Sequence, residues 1–365
     1  MPVKNYESLN TTTDVTTTRT LLHEAIPLTG TIVSGTYGSP STATNIKDYT
    51  HGMFQSVYDY PYLSSSANHI FDITMGFDES SSMSGSLNVT QRTKKINLYN
   101  QFSQVLLGYT GSNNQVRVFE NDLVLDASAA NLMKDCYFLS FSRLLVKDQI
   151  KKGSMSIKLG TGSWAKPFDA TAYAGAIRTL TDASASSTDA GTQDTVGGQY
   201  GLLYEDNGNG TYGPNVYGLV FYQAGIVALT GSIFSGSGQF FSKSHGDGGG
   251  YYGLSGSFVS QSISGNCDAL RHRIYNISFN NTTEINSTIY FCRVPHNKYN
   301  FSSNPTYTSG SKIQVKSVGS DDPVSYITTI GLYSSNNELL AVAKLSEPLK
   351  KTVTNDITLR VRLDY

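Results

Sequence analysis

Residues 356–365 read DITLRVRLDY, and within them Ile357, Leu359, Val361 and Leu363 alternate with Thr, Arg and Asp. A period of two belongs to a strand with one buried face; a helix would need its apolar residues three and four apart. The stretch 326–351, YITTIGLYSSNNELLAVAKLSEPLKK, carries two apolar runs, 327–332 and 339–345, around the polar segment 333–338. It reads as a β-hairpin, followed by a basic, Pro-containing link and the last strand. Apolar strand faces must find a covering layer, so the chain end alone points to a mainly β fold.

The rest of the chain is punctuated in the same way. HIFDITMGF (69–77) alternates, CYFLSFSRLLV (136–146) reads as one or two buried strands, and GSMSIKLG (153–160) alternates cleanly. Two apolar β runs flank Gln223-Ala224-Gly225, and further strands are expected at 274–279 and 288–294. NQVRVFENDLVLD (114–126) reads as strand, turn, strand, and AANLMKD (129–135) as a short helix. One clear helix is expected over 93–107. Ile96, Tyr99, Phe102, Val105 and Leu106 recur there at helical spacing, and Gly108 supplies the stop.

The expected fold is mainly β, with β-sandwich-like sheets, one or two helices and long loops. Four segments are expected. Residues 1–45 form an extended N-terminal arm and loop, Thr-rich and without periodicity. Residues 46–160 form a first part of the core, 161–265 a β insertion with Gly/Ser/Asn-rich loops, and 266–365 a second part ending in the hairpin and terminal strand.

Charge narrows the function classes. The 365 residues hold 27 Lys and Arg against 28 Asp and Glu, a net charge of -1, which argues against a dominant phosphate-binding surface. Only 15% of residues are charged, while there are 24 Tyr, 16 Phe and 34 Gly. Low charge with many Tyr, Ser and Asn suits a chain that works against other proteins, because Tyr offers rigid, half-polar contact area. The three cysteines, Cys136, Cys267 and Cys292, form neither a disulfide framework nor a zinc spacing, and are expected as reduced core residues. The start lacks the apolar region of a secretory signal and no run is long enough to cross a membrane, so synthesis and assembly in a cytoplasm are expected. The Asn-x-Ser/Thr triplets at Asn276, Asn281 and Asn286 are a by-product of an Asn/Thr-rich sequence.

No motif carries chemistry. Walker A, dinucleotide-binding, His-Glu-x-x-His and Gly-x-Ser-x-Gly patterns do not occur. DNGNGT (206–211) lacks the spacing of a calcium loop, and His245 with Asp247 in a glycine-rich loop is too small a set for a metal. The six histidines, at 23, 51, 69, 245, 272 and 296, are separate in sequence, and Asp59 with Asp72 is a carboxylate pair only if the fold sets them at a catalytic separation. Neither catalytic residue, nor metal, nor cofactor, nor nucleic acid or membrane partner is expected. FQSVYDYPYL (54–63) is dense in aromatics without interleaved Lys or Arg, which favours packing or protein contact over base stacking.

The hairpin carries a resemblance. Gly331, Leu332, Tyr333, Asn337, Glu338, Leu339, Leu340, Ala341, Val342 and Ala343 resemble the hairpin of phage tail-collar and baseplate-attachment domains. YTHGMFQSVYDYPYLSSSANHIFDI, FLSFSRLLVKDQIKKGS, GLVFYQAGIVALTGSIF and NNTTEINSTIYFCRV are similar to segments of structural proteins of T4-like contractile-tailed marine bacteriophages. The similarity spans most of the chain apart from the low-complexity part of 161–265. It implies a virion structural protein, in the tail baseplate as a wedge or peripheral component, with other tail and baseplate proteins as partners in a symmetric, multi-copy assembly. The same resemblance leaves room for a tail fibre, collar or receptor-binding attachment protein, for a neck protein, or for a phage-borne polysaccharide depolymerase. It supplies no catalytic residue. The contact residues expected are Tyr58, Tyr60, Tyr62, Tyr299, Phe301, Tyr307 and Tyr333, with Leu359, Val361, Leu363 and Tyr365 of the terminal strand, which can pair in its own sheet or with a neighbour's edge.

Overall fold

The computed structural model describes residues 6–35, 43–85, 89–110, 115–128, 130–169, 177–185, 191–208, 212–236, 239–242, 250–301, 308–309, 312–313 and 323–365. The fold is mainly β and antiparallel, with five short to medium α-helices among the described residues. Two compact units divide the chain, Leu22–Thr283 and the combination of Met1–Leu21 with Glu284–Tyr365.

In the Leu22–Thr283 unit one sheet carries most of the strands. Starting from the first part of the long strand Ile274–Val294, the order is Ser156–Gly160, Ile177–Thr181, Gly198–Asp206, Tyr212–Phe221, Ile226–Thr230, Asp135–Phe141, His69–Phe77, Gln55–Tyr58 and Ile46–Asp48. Strands from 161–265 therefore occupy the middle of the sheet, between Ser156–Gly160 and Asp135–Phe141, and do not form a separate insertion. The division between units falls after Thr283, so 266–283 belongs with the first core and not with the C-terminal hairpin.

Both faces of the sheet's middle are buried, which is why strands such as Asp135–Phe141 and Ile226–Thr230 read as continuous apolar runs. Tyr137, Leu139, Val220, Tyr222, Val227 and Leu229 fill one face. Cys136, Phe138, Leu219, Phe221 and Ala228 fill the other. The helix Val89–Leu106 covers that second face, with Tyr99 and Leu106 fully buried and the Phe102 ring stacked on Phe138 at 4.3 Å. Gly76 lets the helix approach, since a Cβ there would lie 2.5 Å from the Lys95 carbonyl oxygen. Val105, expected on the apolar face, is 65% exposed, because the buried stripe runs through Leu98 and Tyr99 instead. Gly108 ends the helix at φ +82°, as expected of a left-handed stop.

Several local expectations are corrected. Of 114–126, Phe119–Glu120 is the strand, and it pairs with Leu132–Met133, where a short helix was expected. A two-residue ladder is enough there because Phe119 and Met133 drop into the core beside Tyr99, whose hydroxyl donates to the Met133 carbonyl at 2.7 Å. The run 136–146 is one strand followed by a short helix, Arg143–Val146. Gln223-Ala224-Gly225 turns the expected hairpin, with Gly225 at φ +67°.

Buried polar groups pin the loops. Asp182, fully buried, accepts from the Met155 amide at 2.8 Å, the Gly153 amide at 2.9 Å and the Tyr222 hydroxyl at 3.0 Å. Arg273, also buried, donates to the carbonyls of Gly160, Gly162 and Phe240. Lys95 donates to the carbonyls of Phe258 and Gln261. These side chains satisfy carbonyls and amides that no ladder reaches. Cys136 and Cys267 are buried free thiols and Cys292 is a half-buried one.

In the second unit the long strand runs on and pairs, over Ser287–Val294, with the terminal strand Ile357–Asp364. Val15–Leu22, in the segment expected as an extended arm, is a strand on the same long strand. The Asp14–Arg293 ion pair, 2.7 Å long, and the Arg19–Glu284 pair fasten it. The expected hairpin is present as Val324–Tyr333 and Leu339–Thr352, a ribbon longer than the sequence implied. The Pro-containing link is part of its second strand. Register jumps from Ile327↔Leu349 to Thr329↔Lys344, so 345–348 bulge out and Pro348, which has no N–H, sits where no ladder bond is required.

Candidate interaction surfaces

The ribbon 324–352 is the first candidate. At its base Val324, Ser325 and Lys351 are buried. Lys351 donates to the His296 carbonyl at 3.1 Å, to Asn300 Oδ1 at 2.9 Å and to the Thr352 carbonyl at 2.6 Å, and Ser325 donates to the Tyr299 carbonyl. Beyond the base, among the described residues, the two strands pair only with each other. The tip is a tight turn. Ser334 N–H donates to the Glu338 carbonyl at 2.9 Å, Asn337 N–H donates to the Ser334 carbonyl at 3.0 Å, and Asn337 takes φ +65°, a conformation Asn tolerates.

Register places Ile330, Leu332, Ala341 and Ala343 on one face of the ribbon and Gly331 and Val342 on the other. Leu340 is 68% exposed, Tyr326 54% and Val342 52%. Single exposed apolar side chains are ordinary, but an isolated two-stranded ribbon that keeps this many in water is marginal unless another surface covers it. Tyr6 lies on Tyr333 with ring centroids 4.9 Å apart, beside the Lys298–Glu7 ion pair.

The terminal strand is the second candidate. Tyr365 exchanges both backbone hydrogen bonds with Asn286, at 2.8 and 2.9 Å. The alternation of an antiparallel ladder then turns the backbone groups of Thr358, Arg360, Arg362 and Asp364 to the outer edge. Arg360, Arg362 and Asp364 are exposed there, a charged edge of the kind that resists indiscriminate strand addition. Val361 is buried, while Leu359 and Leu363 are half-buried and Tyr365 is exposed with its hydroxyl 3.1 Å from Thr288 Oγ1. Of the other aromatics expected here, Tyr299 and Phe301 are exposed, and Tyr307 lies outside the described residues.

The third candidate is the aromatic group of the Leu22–Thr283 unit. Tyr58 and Tyr62 are half-buried, 6.3 Å apart, with His69 edge-on to Tyr58 at 5.5 Å. Burial pushes the Tyr58 hydroxyl above its usual range. Tyr60 and Leu63 face outward. Lys47 stands over Tyr49 at 4.8 Å and Tyr62 at 6.0 Å, a cation the sequence hid because strand pairing of Ile46–Asp48 with Gln55–Tyr58 brings it in. Leu340 and Val342 are named in the sequence only as part of the hairpin resemblance, and Tyr326 is not singled out at all. The visible signal was the apolar run 339–342, which has no polar alternation to mark an outward face.

Among the described residues the carboxylates singled out in the sequence are not brought together. Asp59 accepts from Asn68, and Asp72 accepts from Ser56 and lies 2.8 Å from His69 Nε2, so each carboxylate serves its own turn or strand. Carboxylate oxygens of Glu120, Asp122 and Asp126 lie within 4.8 Å of one another, but each also accepts a loop amide, from Ala127, Val124 and Ser128 respectively. Burial raises the Glu120 carboxyl. Asp206 accepts the Gly208 amide at 2.8 Å; His245 and Asp247 lie outside the described residues. No helix among the described residues is long and apolar enough to cross a membrane. Compared with protein-family models, with characterised proteins and with solved structures, the chain matches none.

Proposed function

We propose that this chain is a structural protein of a tailed-bacteriophage virion, a wedge or peripheral component of the tail baseplate that acts through protein–protein assembly. The observation that carries the reading is the ribbon 324–352: anchored at its base by Lys351, paired only with itself among the described residues, and lined with exposed Leu340, Val342 and Tyr326. Leu340 and Val342 are also among the residues that hold the resemblance to baseplate-attachment hairpins. A low charge content of 15% fits a surface covered by neighbours, since interface cores are depleted in charge and enriched in Tyr.

The partners are other tail and baseplate proteins, in several copies, and the place of action is the virion after assembly in the host cell. The test is mass spectrometry of purified particles of the source phage, followed by immunogold labelling. Label at the distal end of the tail supports the baseplate. Label at the neck or along fibres moves the chain to a collar, neck or attachment role. Absence from particles refutes the structural reading and turns attention to an enzyme such as a polysaccharide depolymerase.

A further inference from the structure

In the second unit the long strand has Ile357–Asp364 on one side and Val15–Leu22 on the other. Among the described residues no further strand lies along Val15–Leu22. The Phe291 N–H donates to the Asp14 carbonyl at 2.8 Å, and Thr17 Oγ1 lies 3.4 Å from Thr288 Oγ1. Both contacts fall on one antiparallel register, 14 against 291 and 17 against 288. Alternation then turns the backbone groups of Thr16, Thr18 and Thr20 toward the long strand, and those of Val15, Thr17, Arg19 and Leu21 away from it. The outward residues present a row of N–H and C=O groups that another strand can pair with.

The two edges of this sheet are guarded differently. Arg360, Arg362 and Asp364 stand exposed on the terminal strand. On Val15–Leu22 the one charged side chain is Arg19, and Glu284 holds it. In the Leu22–Thr283 unit, Ala25–Thr29 also pairs with the long strand, and there Pro27, opposite Ser278, has no N–H to offer. Val15–Leu22 contains neither Pro nor Gly, and residues 16–22 are exposed. A run rich in Val and Thr, with a single charge, is the composition that adds readily to another strand. An extended backbone is therefore the ligand this edge fits.

The side chains select a second copy of the same strand. A two-fold axis pairs two antiparallel edges, and only registers that set outward residues against outward residues make the bonds. Three such registers keep most of the strand paired. With Arg19 on the axis, two guanidinium groups meet. With Thr17 on the axis, Val15 faces the partner's Arg19. With Thr18 on the axis, Val15 faces the partner's Leu21, Thr17 the partner's Arg19 and Thr16 the partner's Thr20. In that last register apolar meets apolar, Thr meets Thr, and no like charges stand directly opposite. We propose that the chain forms a two-fold dimer through this edge, Val15–Leu22 of one copy adding to Val15–Leu22 of the other with Thr18 at the axis. The contact uses none of the ribbon 324–352, so it stands or falls independently of the virion reading.

The experiment is sedimentation velocity of the full chain over a micromolar concentration series, followed by disulfide trapping. The unaltered chain is expected to sediment as a dimer. Thr17→Pro removes an outward N–H that the chain's own ladder does not use. It is expected to raise the dimer dissociation constant roughly tenfold or more, with the thermal midpoint nearly unchanged. Thr18→Cys is expected to give a disulfide-linked dimer under mild oxidation, because the two copies of residue 18 meet as a close, non-hydrogen-bonded pair. Thr16→Cys, set against residue 20, stays at the background of the unaltered chain, whose three cysteines are free thiols. If Thr17→Pro does not fold, the two cysteine variants decide. A monomer at every concentration overturns the proposal and leaves the edge to a strand of a different protein. A dimer that Thr17→Pro leaves intact overturns it, as does cross-linking of Thr16→Cys to the same extent as Thr18→Cys.

Discussion

Lys351, on the second strand of the ribbon, donates its ammonium to Asn300 Oδ1 at 2.9 Å, and the same ammonium also holds the carbonyls of His296 and Thr352. One buried side chain thus joins the ribbon base to the loop that presents Tyr299 and Phe301. Lys351→Met keeps the apolar stem and leaves three acceptors without their donor. The expected cost is about 1–3 kcal/mol, read as a lowered thermal midpoint with faster amide exchange in residues 295–301.

The terminal strand has a role of its own. It pairs with Ser287–Val294 through all eight of its residues, and its Val361 is buried. Deleting residues 356–365 exposes that side of the long strand and removes the Tyr365–Asn286 bonds. The truncated chain is expected to aggregate or to lose the protease resistance of Glu284–Tyr365. A truncated chain with an unchanged thermal midpoint and unchanged proteolysis would contradict this.

Asp182 makes stability depend on acid. Burial pushes its carboxyl up from 3.8 to about 6. The folded-state value lies above the unfolded one, so its contribution is fully present below about pH 4 and is lost as pH rises through about 6. The stability of the unaltered chain minus that of Asp182→Asn should therefore fall between these limits, measured by urea denaturation at several pH values.

Lys95 acts at the alkaline side. Burial pulls its ammonium down from 10.5 to about 8. Between these values the unfolded chain keeps a proton that the folded chain releases, so its contribution to stability rises with pH across that window. Lys95→Met should lack that rise when urea midpoints at about pH 8 and about pH 10 are compared.

The mainly β fold was legible because its evidence is local. Alternation in 357–363 placed a strand with Val361 turned inward, and the apolar runs around Gln223-Ala224-Gly225 gave a hairpin. Helical spacing found Tyr99, Phe102 and Leu106 but included Val105, since the stripe drifts with 3.6 residues per turn and the sheet beneath decides its centre. The place of 161–265 in the sheet was not legible, because loop composition describes connections and not strand neighbours. The pairing of Lys47 with Tyr62 and the gathering of Glu120, Asp122 and Asp126 depend on where the backbone turns. Pro348 looked like the end of a strand, and only the register shows a bulge that accommodates it.

The most direct measurement concerns Leu340 and Val342, exposed on a ribbon whose base lies elsewhere. The double variant Leu340→Glu with Val342→Glu touches no buried group, so its stability should stay within about 0.5 kcal/mol of the unaltered chain. Phage lacking this chain would be supplied with either form during infection, and the amount retained in purified particles measured by mass spectrometry. The expected result is full incorporation of the unaltered chain and loss of the folded double variant from particles. Equal incorporation of both forms, or absence of both, would contradict the ribbon's role in assembly.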